Sequence, residues 1–248
     1  MSHIHVPDGI IPFYIWIPGY LITFAIIFLI IKSLDTQHIK RILPYTGVSA
    51  ALMLIGMSVP LFIVPVHLSL AVLIGILIGP KMGFLVVFSV SLILALFGHG
   101  GITIVGLNTL VIGSEVLIGG MLFRWIGKKS LVGGTVTACI IALVISMAMM
   151  ISLVGLTAGF AEALPHHHNE HHHEEAEDHH GDDEHHHEDH HHDLEEAVGG
   201  MRYFIFTGWV ALVLILVIGL ALETTITVLM VKFLNKVKPD LFRLVHRF

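Results

Sequence analysis

The sequence predicts an all-α integral membrane protein, a bundle of about seven transmembrane helices with its N-terminus outside and its C-terminus in the cytoplasm. Three observations lead there. Of the 248 residues 55% are hydrophobic and only 13% charged, with a mean hydropathy of +0.85, a balance that suits a chain built around lipid rather than water. Seven apolar stretches follow one another, at residues 12–32, 44–63, 67–80, 83–98, 107–126, 131–159 and 202–232, most of them near the roughly 20 residues that a helix needs to cross a bilayer. The basic residues, finally, collect in alternate connections between those stretches.

The first stretch follows a polar start, MSHIHVPDG, with no Lys or Arg ahead of the apolar run. That does not resemble a cleaved signal peptide, so the expected mature N-terminus is the one written. The third and fourth stretches are too short for straight spans and are separated only by Gly79-Pro80-Lys81-Met82; they are expected to form a tight hairpin shielded by their neighbours. Within that hairpin Gly75 and Gly79 present a small-xxx-small face for close helix packing. The fifth stretch follows FGHGGITIVGLNTL, whose glycines imply irregular backbone covered by protein or water. The sixth holds Cys139, the only cysteine, so no disulfide can form within the chain.

Between the sixth and seventh stretches lies PHHHNEHHHEEAEDHHGDDEHHHEDHHHD, residues 165–193, with most of the 20 histidines and most of the acids. It has no apolar face from which to build a core and is expected to be a disordered, solvated loop whose imidazoles and carboxylates suit borderline divalent metals. The expected organisation is therefore a membrane bundle with a metal-binding N-terminus over residues 1–162, an external His/acid-rich loop over 163–200, and a last transmembrane helix with a basic tail over 201–248.

Orientation follows from charge. Lys32, Lys40 and Arg41 fall in the first connection, Lys81 in the third, Arg124, Lys128 and Lys129 in the fifth, and Lys232, Lys236, Lys238, Arg243 and Arg247 at the C-terminal end. That side receives every Lys and Arg except Arg202, and the positive-inside rule makes it cytoplasmic. The N-terminus, the turn around His67, the 98–108 loop and the His-rich run then all face outward, an arrangement suited to capturing metal from outside the cell.

The candidate ligands are named by chemistry. An α-amine closely followed by a histidine offers amine, amide and imidazole nitrogens in one plane, which suits Ni(II) and Cu(II). With Met1 removed, the amine of Ser2 lies beside His3; with Met1 kept, His3 is the third residue of the chain. His67, in VPVHLSLAVLIGILIGP, is an ionisable group at an expected membrane boundary and therefore a functional candidate; a histidine merely hydrogen-bonded to a carbonyl is the alternative. His99 is a weaker case of the same kind. Glu115 and Glu223 interrupt apolar helices and should face the bundle or a partner, as a relay or as a carboxylic acid hydrogen-bonded between helices.

Two look-alikes fail. GKKS at 127–130 resembles the end of a phosphate-binding loop, but Leu122 stands where its first glycine should be and no βαβ region surrounds it, so the chain itself cannot hydrolyse ATP. His173 with Asp178-His179 matches the H-x4-D-H pattern of secondary nickel-cobalt permeases, yet it lies in the polar run, where composition alone generates it.

Four segments in order carry a family resemblance: His5-Val6-Pro7-Asp8-Gly9; Val66-His67-Leu68 leading to Leu77-Ile78-Gly79-Pro80; Gly100-Gly101-Ile102-Thr103 with Gly106-Leu107-Asn108; and Glu223 through Lys238-Pro239-Asp240-Leu241. They resemble the CbiM/NikM family, substrate-binding membrane components of energy-coupling-factor (ECF) nickel and cobalt transporters, over essentially the whole chain except the His-rich run. The resemblance implies seven helices, an external N-terminus, and metal held by the terminal amine, a nearby histidine with its backbone nitrogen, and a histidine at the position of His67. Family members often begin Met-His-Ile, which by motif aligns with His5 and by chain end with His3. The ligand set implied is therefore drawn from Ser2, His3, His5 and His67.

The resemblance further implies that Ni(II) or Co(II) is cargo and no cofactor is held. The partners implied are a membrane coupling subunit, ATPase subunits that perform the hydrolysis this chain cannot, and a small two-helix accessory subunit. The expected setting is a prokaryotic inner membrane, crossed several times, with lipid and protein rather than nucleic acid as neighbours. The His-rich run would concentrate metal near the entrance. A secondary nickel, cobalt or zinc carrier, with Glu115 or Glu223 as relay, is the second reading; a membrane sensor or metal buffer is the third, although no output domain is visible.

Overall fold

The computed structural model describes residues 11–58, 67–98, 100–158 and 190–238. Among them are seven α-helices: α1 (Phe13–Ser33), α2 (Thr36–Ser58), α3 (Ala71–Ile78), α4 (Pro80–Leu96), α5 (Val105–Ile126), α6 (Leu131–Ala158) and α7 (His190–Val237). No strand occurs among the described residues. The apolar stretches therefore fold as expected, as helices whose backbone bonds are satisfied within each segment. Phe13–Ser33, Ile102–Ile126, Leu131–Leu153 and Leu216–Val237 are each long and apolar enough to cross a membrane, while Ile42–Ser58 and Pro80–Leu96 are shorter apolar helices.

Burial separates the inner helix from the outer ones. In the span that includes α5, 67% of the most apolar window is buried, against 17% in α1, 28% in α6 and 22% in α7. α5 packs against α1, α3, α4 and α6; α7 lies on α6 and touches α3, and α2 leans on α3 and α4. Every residue of α3 is buried, as a helix that is apolar all round must be when its neighbours surround it. The outer helices instead expose large apolar side chains such as Phe28, Leu29, Val144, Leu214 and Phe233, the surface that lipid covers.

Small residues let α3 approach α5. A Cβ on Gly75 would come within 2.5 Å of the carbonyl oxygen of Val116, and one on Gly120 within 2.8 Å of the carbonyl oxygen of Gly75. Gly75 therefore serves the close packing expected of it, with Gly120 opposite rather than with Gly79. Gly79 is the turn itself: at φ 87 it ends α3 and caps α4, whose first residue is Pro80, so the expected hairpin closes on a single non-helical residue.

Three boundaries differ from expectation. The third apolar stretch is not helical from its start, because α3 begins only at Ala71, leaving residues 67–70 in irregular backbone. Helix α2 begins at Thr36 rather than 44, so Lys40 and Arg41 lie in a helix and not in the connection; Ile42, buried in the core, anchors this extra length. Helix α7 begins at His190, so the end of the run expected to be a loop is helical: Leu194-Glu195-Glu196-Ala197 are good helix formers, and a long membrane helix propagates into them without a second nucleation step. The remainder of the His-rich run lies outside the described residues.

The two ends of the bundle differ in character. At one end the α1–α2 connection, the Gly79 turn and the end of α5 converge on a cavity of about 120 Å³ whose lining includes Ser33, Asp35, Gly79, Lys81 and Arg124. Alternate connections therefore do meet at one end, as the charge pattern requires. At the other end Ile11, Ile104 and Leu107 pack with Trp16, Met150 and Leu153, and the phenol of Tyr20 donates to the carbonyl of Ile102. Residues 67–70 precede α3 on the side away from the cavity.

Candidate metal centre

The site is best built from the irregular segment outward. His67 is half-buried, followed by Leu68 and the fully buried Ser69 and Leu70. With no helix to close the backbone bonds here, each polar group must find another partner. The N–H of Leu68 donates to the carbonyl of Gly56 on α2 at 3.2 Å. The N–H of Leu70 donates to Oε1 of Glu223 on α7 at 3.1 Å. Leu70 adopts φ 51 and ψ 15, the only non-glycine with positive φ among the described residues, a conformation disfavoured for a bulky side chain and kept only where its surroundings fix it. Its carbonyl then accepts the N–H of Ile74 at 3.0 Å, starting α3.

Ser69 joins the two intramembrane acids. Its Oγ lies 2.7 Å from Oε2 of Glu115 on α5 and 2.5 Å from Oε1 of Glu223, and it accepts the N–H of Ala71 at 3.3 Å. Glu115 is 0% and Glu223 3% exposed, so both face the bundle, as an ionisable group in a membrane helix should. The reading of these acids as groups hydrogen-bonded between helices is thus correct in geometry. On α7 the buried stripe continues through Thr227 and Val231, four residues apart each time, which aims Glu223 inward by helical register alone.

Of the four expected ligands, His67 alone is in view. Ser2, His3 and His5 lie outside the described residues, as does His99. Among the described residues no three His, Cys, Asp or Glu side chains gather as a group able to hold a metal, and Cys139 is a buried free thiol in α6. His67 therefore needs donors from elsewhere if it binds an ion. Sequence reasoning overlooked Ser69: a serine in an apolar run attracts no notice until the helix is known to start after it. The available signal was the coincidence of two buried acids with one serine just ahead of a short helix.

Comparison with known proteins completes the description. A crystal structure described as that of a truncated transition metal transporter resembles this chain with 20% sequence identity and a TM-score of 0.45, covering 62% of this chain and 72% of that one. No curated protein matches the sequence significantly. The family model described as the cobalt uptake substrate-specific transmembrane region matches residues 5–241. That match takes in His5, His67, the α3–α4 hairpin, both buried glutamates and the Lys238-Pro239-Asp240-Leu241 end, so the chain belongs to the CbiM family of cobalt-uptake transmembrane components.

Proposed function

We propose that the chain is the substrate-binding component of an ATP-driven ECF importer, taking up nickel or cobalt across a prokaryotic inner membrane. The ion is captured from outside by nitrogen donors at the N-terminus, the amine of Ser2 with His3 or His5, and by His67. A membrane coupling subunit and a pair of ATPase subunits then rearrange the bundle to release it inward, with a small accessory subunit assisting.

The observation that carries this reading is the position of His67 on a short irregular segment tied to α2 and α7 at the buried start of α3. A metal ligand needs a fixed direction, and non-helical backbone at membrane depth is kept only where protein covers it or a cavity needs it. Imidazole suits Ni(II) and Co(II), and a mixed nitrogen set discriminates them from Mg(II) and Ca(II), which prefer oxygen. Membership of a cobalt-uptake family agrees with that chemistry. The test is His67→Ala in the purified full chain, titrated with Ni(II) and Co(II): high-affinity binding is lost. Parent affinity in that variant removes His67 from the site.

A further inference from the structure

Ser69 stands where α3, α5 and α7 meet, and its hydrogen bonds obey a strict count. A hydroxyl has one proton to give and two lone pairs to receive. Two carboxyl oxygens lie within hydrogen-bond distance of it, at 2.7 Å and 2.5 Å, and one proton cannot serve both. The count closes when one carboxyl is itself the donor. Oε1 of Glu223 already takes the N–H of Leu70, which makes it the acceptor of the Ser69 proton as well. Glu115 is then the acid, giving its O–H to Ser69, whose remaining lone pair takes the N–H of Ala71.

We propose that this Glu115–Ser69–Glu223 junction positions His67 for metal and makes its direction depend on where α7 stands. The inference rests on the reading of His67 as a ligand. Ser69 is two residues from His67 along irregular backbone, and Leu70, between Ser69 and α3, is held in a left-handed conformation it would not adopt unaided. Three helices hold the four residues 67–70: α2 through Leu68, α5 through Ser69, and α7 through Ser69 and Leu70. A shift of α7 along or about its axis moves Glu223, and the segment bearing His67 follows it or loses two of its bonds. In this proposal Glu115 and Glu223 are positioning residues, acting on the segment through Ser69 and Leu70.

The test uses the full chain purified in lipid nanodiscs, with Ser69→Ala, Glu223→Ala, Glu223→Gln, Glu115→Gln and, as reference, His67→Ala. Three quantities are read: Ni(II) and Co(II) affinity, the visible absorption spectrum of bound Co(II), which reports coordination geometry, and the melting temperature of the metal-free protein. Ser69→Ala and Glu223→Ala weaken binding by about 10- to 100-fold, as loss of a group that orients a metal ligand does, and shift the Co(II) spectrum. Glu223→Gln, whose amide oxygen still accepts, recovers most of what Glu223→Ala loses, and Glu115→Gln, whose amide N–H still donates, behaves alike. Parent affinity and spectrum in Ser69→Ala and Glu223→Ala, with binding lost in His67→Ala, overturn the junction and leave the ligand reading standing. Affinity that falls only in step with melting temperature, with an unshifted spectrum, also overturns it and makes the junction structural. Parent affinity in His67→Ala overturns both together.

Discussion

Chemistry at the residue scale here is a matter of what a buried polar atom does with its lone pairs and protons. A charge at the centre of a membrane helix costs on the order of 3 kcal/mol, so Glu115 and Glu223 had to be either exposed to a cavity or bonded, and the sequence alone read them as facing the bundle or a partner; the structure shows the bundle. Which group they bond was not legible, because Ser69 enters the argument only once α3 is seen to begin at Ala71. The proposed N-terminal ligands have the opposite character: their chemistry is legible in MSHIH and they lie outside the described residues. That chemistry makes a direct prediction. Acetylating the α-amine, or adding residues ahead of Met1, removes a lone pair that no side chain replaces, so Ni(II) affinity falls steeply. Comparison of His3→Ala with His5→Ala by calorimetry identifies which histidine shares the site, and a tagged chain with full affinity excludes the amine.

At the scale of elements, the apolar stretches foretold the helices well where lipid sets the length and less well where it does not. The sixth stretch, 131–159, became Leu131–Ala158 almost unchanged. Lipid says nothing about where a helix stops once it leaves the bilayer, and α7 accordingly runs on to His190. For the same reason the start of α3, shielded by protein, follows its side-chain anchors and not hydropathy. The helical start of α7 refines how the His-rich run is to be tested. Deleting residues 166–188, with a short Gly/Ser bridge, leaves α7 whole and closes the loop at small entropic cost. Saturable uptake of radiolabelled nickel or cobalt then persists, while uptake at scarce metal falls. Imidazoles with pKa about 6.5 release metal as they gain protons, so the parent's advantage over the deletion is present above that pH and fades as pH falls through it. Loss of uptake at saturating metal, in a deletion that reaches the membrane, places essential ligands in the run.

On the scale of the whole molecule the chain is a metal-uptake membrane component with a central α5 and an apolar outer ring. Whether work against a gradient comes from a partner ATPase, as proposed, or from a coupled ion is open to direct test. Co-expression decides between these. Nickel or cobalt accumulation that appears only with an active ATPase subunit, and disappears when that subunit's P-loop lysine is replaced, supports the ECF reading; accumulation by this chain alone that collapses with an uncoupler supports a secondary carrier and rejects it.

The brevity of α3 sets the depth of the irregular segment that precedes it. Eight residues at a rise of 1.5 Å make a rod about 12 Å long, and its lower end abuts the cavity lined by Lys81 and Arg124, groups that belong at the headgroups. A bilayer's hydrocarbon is about 30 Å thick, so with Lys81 and Arg124 at the headgroups Ser69, just ahead of α3, lies near its middle. On the proposed reading of His67 as a ligand, an ion bound beside Ser69 sits deep in the hydrocarbon, and its inward release has about the length of α3 left to cover.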